Sequence, residues 1–444
     1  MVSRKFRTLI SIAALCGGVA TSAMADDDPD AFQCAALNDH PVTPVLEGHN
    51  GVFFRVFLDL RMNHPFTDQT VDLLGQLADA LRENGTELVF LPVPTKSLVL
   101  NDDLPKQASL YGYDIETATQ VYRNIIERLR DRGVVAIDGQ EAMQDGNPDA
   151  LPFFQADFHW TAEGARRAAQ GVAAEMDRLN LFAGMERGEY ETTPLQEEIA
   201  FSGLRRQIQK KCKVALPEPV TMTYQTEAVG GSDADAAVDL FGTASSIDLA
   251  LVGTSFSDME ISHFEGWLKQ YTGLEVVNYA ITGGNQFGAM LSYLTSQDFR
   301  ENRPKFLVWE NPLYNNLMQN GDQPLREMVA AAGETCTLEL PSELSDRNTL
   351  TADLSGIALE ASDVIHASAA GEGSREVEFR FETSSGAVRH KALRRENRLR
   401  ATGNYYMPIN SLGTVDFTKL SVTFDRTLPK TASLRLCRSQ KENL

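Results

Sequence analysis

Two short segments carry residue types that could together build a nucleophile. Asp157-Phe158-His159-Trp160-Thr161 places an acid and an imidazole two residues apart. Gly253-Thr254-Ser255-Phe256-Ser257 places a serine directly after the apolar run Ile247 to Gly253. A serine hydroxyl is a poor nucleophile at its own pKa: it needs a base to take its proton, and the base needs a third group to fix its tautomer. The chain offers one of each, in Ser255, His159 and Asp157. Ser257 is the rival nucleophile, two residues further along and inside the expected following helix. His64, His366 and His390 have no acid and serine around them, and His263 reads as a surface or packing histidine. Trp160 reads as a packing residue.

These segments need elements to hold them. Thr67 to Asn84 has helical spacing, with Val71, Leu74, Leu77 and Leu81 on one face and Gly85 as the stop. Glu87 to Pro94 reads as a buried strand ended by its prolines, Ile115 to Arg132 as a helix, and Val134 to Asp138 as a strand. Thr161 to Leu179 is an alanine-rich helix with Thr161 as its N-cap. Leu249 to Gly253, Glu275 to Tyr279 and Lys305 to Glu310 supply further strands. Such alternation predicts an α/β fold, a parallel sheet flanked by helices on both faces. Sites in these sheets lie beyond the carboxyl ends of the strands, where Ser255 falls. From Cys336 onward, short alternating runs such as Val377-Glu378-Phe379-Arg380-Phe381 and Leu420-Ser421-Val422-Thr423-Phe424 predict an antiparallel β-sandwich. The boundary is expected around residues 321–334, and Gly230 to Ala237 as an exposed loop.

The N-terminus sets the compartment. Arg4, Lys5 and Arg7 precede the apolar stretch Leu9 to Val19 and then Ala23-Met24-Ala25. This is the pattern of a signal peptide over residues 1–25 with cleavage after Ala25. The apolar stretch is too short to span a bilayer, and no later segment has the length of a transmembrane helix, so the mature chain is not expected to span a membrane. Four cysteines remain: Cys34, Cys212, Cys336 and Cys437. An even number in an exported chain suggests two disulfides, with three pairings open. Cys34–Cys212 with Cys336–Cys437 is favoured because each bond closes within one expected domain. Scattered cysteines and histidines predict no metal site and no cofactor. The net charge of −20 disfavours nucleic acid as a partner. The segment from Cys336 is nearly neutral and holds a basic cluster, Arg389, Lys391, Arg394, Arg395, Arg398 and Arg400. Such a cluster could hold the carboxylates of an anionic polymer through paired hydrogen bonds.

The Asp-x-His-Trp-Thr and Gly-Thr-Ser-Phe-Ser segments resemble those of the AlgX/AlgJ group of SGNH hydrolase-like polysaccharide O-acetyltransferases. Glu47-Gly48-His49-Asn50-Gly51-Val52-Phe53-Phe54 and Pro92-Val93-Pro94-Thr95-Lys96 resemble that group too. The likeness is to the branch with a C-terminal carbohydrate-binding sandwich, and the favoured cysteine pairing is also that branch's. The resemblance implies a signal peptide (1–25), an SGNH-like domain of permuted topology (26–330) and a carbohydrate-binding β-sandwich (335–444). It implies Ser255 as nucleophile, His159 as base and Asp157 as the orienting acid. The Ser255 N–H is the first expected oxyanion donor. The turn at 282–286, with Gly284 and Asn285, is the expected source of the others. Arg389, Lys391, Arg394, Arg395 and Arg398 are expected to bind the polysaccharide, while Lys96, Asn311 and Tyr314 are expected to hold loops. The implied activity is periplasmic acetyl transfer to the 2- and/or 3-hydroxyl of mannuronate units of alginate, beside a membrane O-acyltransferase in an export complex. No segment names the acetyl donor. A carbohydrate acetylesterase uses the same three residues, and a non-catalytic polysaccharide scaffold is the remaining alternative.

Overall fold

Central to the computed structural model is a five-stranded sheet in which every neighbouring pair is parallel. The structure describes residues 29–438 apart from 148, 231–246, 334–335 and 372. The leader and its cleavage site, and nearly all of the loop expected at 230–237, lie outside the described residues. The strands are β1 (Glu87–Val93), β2 (Val135–Ala136), β3 (Leu249–Val252), β4 (Val276–Asn278) and β5 (Phe306–Pro312), in the order β2-β1-β5-β3-β4. β3 and β5 are buried along their whole length, as strands covered on both faces must be. Leu88 to Leu91, Leu249 to Val252 and Leu307 to Trp309 supply the middle of the main core.

Helices cover this sheet in two layers. α1 (Asp68–Arg82) buries Val71, Leu74, Leu77 and Leu81; Thr67 caps it by accepting from the Thr70 N–H. α2 (Ile115–Asp131) starts at Asp114, whose carboxylate accepts from the Thr117 N–H. α3 (Ala162–Arg178) is capped by Thr161 and buries the stripe Ala165, Ala168, Ala169 and Val172. Gly164 in its first turn touches the chain before it, since a Cβ there would lie 2.0 Å from the Pro152 carbonyl oxygen. A short helix, α4 (Gly203–Gln209), follows, then α5 (Ser255–Asp258), α6 (Phe264–Thr272), α7 (Gly288–Leu294) and α8 (Gln323–Ala332). α1, α7 and α8 pack together, whereas α3 packs on α6. A two-stranded ribbon, Tyr190–Ile199 against Val220–Ala228, lies beside α6.

The stretch expected to hold the boundary contains α8. Leu325, Met328, Ala330, Ala331 and Ala332 all join the main core. Beyond it the sheets are antiparallel. Strands β6 (Leu338–Leu340), β9 (Val364–Ser368), β12 (Asn404–Pro408) and β14 (Ser433–Cys437) form one, in the order β6-β14-β9-β12. Strands β7 (Ser342–Asp346), β8 (Thr349–Asp353), β10 (Glu376–Thr383), β11 (Val388–Arg394) and β13 (Phe417–Phe424) form the other, in the order β7-β8-β13-β10-β11. Val377, Phe379 and Phe381 point inward, Glu378 and Arg380 outward, and both sheets contribute to a second buried cluster. Disulfides join Cys34 to Cys212 and Cys336 to Cys437. Among the described residues, no helix is long and apolar enough to cross a membrane, and no group of three His, Cys, Asp or Glu side chains could hold a metal.

Candidate active site

Folding closes the hundred-residue gap between the two segments. β3 ends at Val252, opposite Trp309 of β5, so the turn at 253–254 comes level with Glu310. That carboxylate is fully buried and accepts from the Thr254 N–H at 2.7 Å, from the Thr254 hydroxyl at 3.1 Å and from the Ser257 hydroxyl at 3.0 Å. Gly253 is required by this approach, because a Cβ there would lie 2.4 Å from a Glu310 carboxylate oxygen. Thr254 caps α5, and Ser255 is its first residue. Burial pushes the Glu310 carboxyl up to about 7, against the lowering effect of its Thr254 and Ser257 hydrogen bonds.

The imidazole arrives on a tight loop. Phe153 bridges Trp160, the Phe154 N–H donates to the His159 carbonyl, and the Thr161 N–H donates to the Pro152 carbonyl. The Trp160 indole N–H donates to the Phe256 carbonyl at 2.7 Å, which ties this loop to α5. His159 Nε2 then lies 2.8 Å from Ser255 Oγ, and its Nδ1 lies 2.7 Å from Asp157 Oδ1. Asp157 Oδ1 also accepts the His159 backbone N–H at 2.9 Å, and Oδ2 accepts the Ser202 hydroxyl at 2.5 Å. Burial raises the Asp157 carboxyl, but the hydrogen bonds and charge of His159 and the Ser202 hydrogen bond outweigh it and hold it below the usual range. An acid kept ionised there favours the tautomer with its proton on Nδ1, leaving Nε2 free to accept from serine.

Lys96 supports the acid's loop from beneath. Its Nζ is buried just beyond the end of β1 and shares its three N–H groups among the carbonyl oxygens of Phe53, Phe154, Gln155 and Asp157, which lie 2.6–3.0 Å away. Burial pushes its pKa down to about 7. Phe158 is held by the guanidinium of Arg55, 4.2 Å from its ring centroid, and Arg55 is itself paired with buried Asp59 at 2.7 Å. Glu310 and Ser202 are the supporting groups that sequence reasoning missed. Glu310 follows the apolar run Phe306 to Trp309 as a lone acid inside buried strand β5, which is a readable signal; Ser202 has none.

Two expectations about this site need correction. The Gly284 N–H is spent on the Ile281 carbonyl in a turn. The Asn285 side chain accepts from the Phe287 and Gly288 N–H groups at the start of α7 and donates to Glu396. The Gly284 N–H is therefore committed to building that turn, whereas the Asn285 side chain keeps one of its two amide protons beyond the Glu396 bond. The Ser255 N–H, by contrast, has no hydrogen-bond acceptor among the described residues.

Nor do the five basic residues form one polymer-binding face. Successive side chains of a strand point to opposite sides. On edge strand β11, Arg389 and Lys391 sit opposite Phe381 and Phe379, while Arg394 sits opposite Glu376 and pairs with it at 2.8 Å on the other side. Arg395 is buried and ion-paired with fully buried Glu327 of α8. Arg398 donates to the Thr282 carbonyl at 3.0 Å, on the turn whose Thr282 N–H binds Asp258 at the end of α5. Leu399 packs on Gly288, and Arg400 pairs with Asp298 at 2.8 Å. The segment 395–400 is thus a latch between the sandwich and the helices beside the site.

A family model described as the SGNH hydrolase-like domain of acetyltransferase AlgX matches residues 45–313. The chain belongs to this family. Over 292 residues it is 33% identical to the alginate biosynthesis protein AlgX of Pseudomonas putida, covering 64% of this chain and 60% of that protein. Over 242 residues it is 29% identical to the probable alginate O-acetylase AlgJ of Pseudomonas aeruginosa, covering 52% and 60%. The chain thus spans about 60% of the length of these AlgX and AlgJ relatives. In fold it matches the solved structure of Pseudomonas aeruginosa AlgX with a TM-score of 0.72, over 89% of this chain and 94% of that one, at 22% identity. The AlgX-family matched region contains Asp157, His159, Ser255 and Glu310, and excludes the sandwich.

Proposed function

We propose that this chain is a periplasmic polysaccharide O-acetyltransferase acting on alginate through an acetyl-serine intermediate. The observation that carries this is the continuous hydrogen-bonded line from Ser255 Oγ through His159 to Asp157, at 2.8 and 2.7 Å. His159 Nε2 takes the Ser255 proton as Oγ attacks the acetyl carbonyl of a donor. The Ser255 N–H receives the developing negative charge on the carbonyl oxygen. Collapse expels the donor's leaving group, which takes the proton from His159. The 2- or 3-hydroxyl of a mannuronate unit then gives its proton to His159, attacks acetyl-serine and releases the ester, and Ser255 recovers its proton. Asp157 keeps its charge throughout and stabilises the imidazolium formed in each half.

The names of the AlgX and AlgJ relatives support alginate as the polymer. In this reading, residues 1–25 are a cleaved leader, 26–330 the acetyltransferase domain and 335–444 a polysaccharide-binding sandwich. Arg389 and Lys391 hold the chain's carboxylates from one side of β11, and Arg398 guides it past the turn beside α5. The partner that the family resemblance implies is a membrane O-acyltransferase in an export complex. Two disulfides fit an oxidising compartment. The test is Ser255→Ala, assayed by mass spectrometry of oligomannuronate incubated with an acetyl donor. The variant is expected to add no acetyl while still binding polymer. Wild-type acetylation by the variant overturns the nucleophile. Release of free acetate without acetylated sugar by the unaltered protein assigns an esterase instead.

A further inference from the structure

Asp157 has a partner that the three-residue relay does not use. Its outer oxygen, Oδ2, accepts the Ser202 hydroxyl, while Oδ1 takes both N–H groups of His159. Ser202 is buried and caps α4, its Oγ accepting from the Arg205 N–H at 2.9 Å. A hydroxyl has a single proton, and an ionised carboxylate can only accept. The hydroxyl proton therefore belongs to Asp157, with the Arg205 N–H filling a lone pair. Both carboxylate oxygens are thereby fixed, and the carboxylate cannot turn about its last bond without breaking one side.

α4 is itself anchored apart from the main core. Leu204, Ile208 and Leu216 join Val45, Phe53 and Ala156 in a small cluster, with Phe32, Leu37 and Phe158 against it. The Cys34–Cys212 bond closes this cluster, and backbone pairs tie Ala35 to Lys211 and Val214 to Phe32. Ala156 and Phe158 are the two neighbours of Asp157 in the chain. The acid is thus gripped along its backbone by the cluster and at its carboxylate by the helix that the cluster holds.

We infer that Ser202 is a positioning residue for acetyl transfer, acting through Asp157 to hold the carboxylate in the one orientation that serves His159. This rests on the acyl-transfer reading above. It also gives the disulfide-closed cluster a role, since the cluster fixes α4, and so the Ser202 hydroxyl, relative to Asp157.

The test uses the full mature protein with oligomannuronate and an acetyl donor, comparing Ser202→Ala, Ser202→Gly, Ser202→Thr and Ser255→Ala. Glycine is nearly as good as serine at a helix cap whereas alanine is not, so Ser202→Gly removes the Asp157 contact with little loss of the helix start. Both Ser202→Gly and Ser202→Ala are expected to lower kcat about 30-fold, within the range for a hydrogen bond to a charged group, with KM for the sugar within twofold. Ser202→Thr restores most of the rate. Without the hydroxyl, Asp157 protonates more readily, so the acidic limb of the rate profile moves to higher pH in both variants. Wild-type kcat in Ser202→Gly overturns the inference, as does a lowered kcat whose pH profile is unmoved, which marks a merely structural role. Neither result touches the acyl-transfer reading, which fails separately if Ser255→Ala keeps its activity.

Discussion

Replacing Glu310 by glutamine is expected to remove a pH dependence of stability that the buried carboxyl imposes. Glu310 is fully enclosed behind the nucleophile turn, and burial pushes its folded pKa to about 7 from an ordinary value of 4.5. Between these two values the folded protein holds a proton that the unfolded chain has released. Its contribution is therefore fully present below pH 4.5, falls as pH rises, and is gone above about 7. At about 1.4 kcal/mol per pH unit, the interval amounts to about 3 kcal/mol. Glutamine carries no proton equilibrium, and its carbonyl oxygen can still accept from the Thr254 N–H and the Ser257 hydroxyl. Urea unfolding of both proteins at pH 5, 6, 7 and 8, with disulfides intact, gives the difference directly. The unaltered protein should lose about 2–3 kcal/mol relative to Glu310→Gln between pH 5 and 8. Parallel stability curves, or a difference of opposite slope, would show that Thr254 and Ser257 already hold the carboxylate ionised, and would refute the reasoning.

Three further outcomes follow from the packing. Arg395→Ala leaves Glu327 buried and unpaired and is expected to cost about 3 kcal/mol, seen as a lowered Tm; adding Glu327→Gln should recover most of it. Arg389→Ala with Lys391→Ala should weaken retention on immobilised polymannuronate and flatten its salt dependence, while Arg394→Ala, on the other side of β11, should leave retention unchanged. Gly164→Ala forces a methyl onto the Pro152 carbonyl, so stability should fall by about 2 kcal/mol and the acetylation rate with it, as the loop carrying His159 shifts.

The parallel sheet is readable because its strands advertise burial. Leu88 to Leu91 and Leu249 to Val252 are unbroken apolar runs, and the helices around them carry caps at Thr67, Asp114 and Thr161. The ribbon at 190–228 is not readable, because most of its residues face solvent and no apolar alternation marks it. α8 is not readable as a helix because its flanks are rich in Gly, Asp and Gln, although its middle is apolar. The Ser255–His159–Asp157 line is legible from residue types alone, since each member has chemistry that needs the other two. Oxyanion donors and polymer contacts are less so. The Gly284 N–H and the Arg395 side chain would suit those roles, but hydrogen bonds within the fold consume them, and no pattern in the chain reports where a partner will come from.

The latch explains why the sequence cluster at 389–400 is so basic without being one surface. Only its first members lie on the sandwich edge; from Arg395 onward each finds an acceptor on the catalytic side, at Glu327, Thr282 or Asp298. Arg398 and Arg400 keep about half of their side chains exposed, whereas Arg395 is enclosed. One buried pair therefore holds the two units in register while the exposed cations remain accessible beside it. That geometry matters for acetyl transfer, because a polymer bound on a freely swinging module would be no better placed than one in solution. With the sandwich fixed through Arg395, polymer carboxylates bound at Arg398, as proposed, would stay beside the turn whose Thr282 N–H is bonded to Asp258 at the end of α5. Arg395→Ala should accordingly raise KM for long oligomannuronates more than for disaccharides, which cannot reach both units. An equal effect on short and long acceptors would separate the latch from substrate delivery and leave it a purely structural contact.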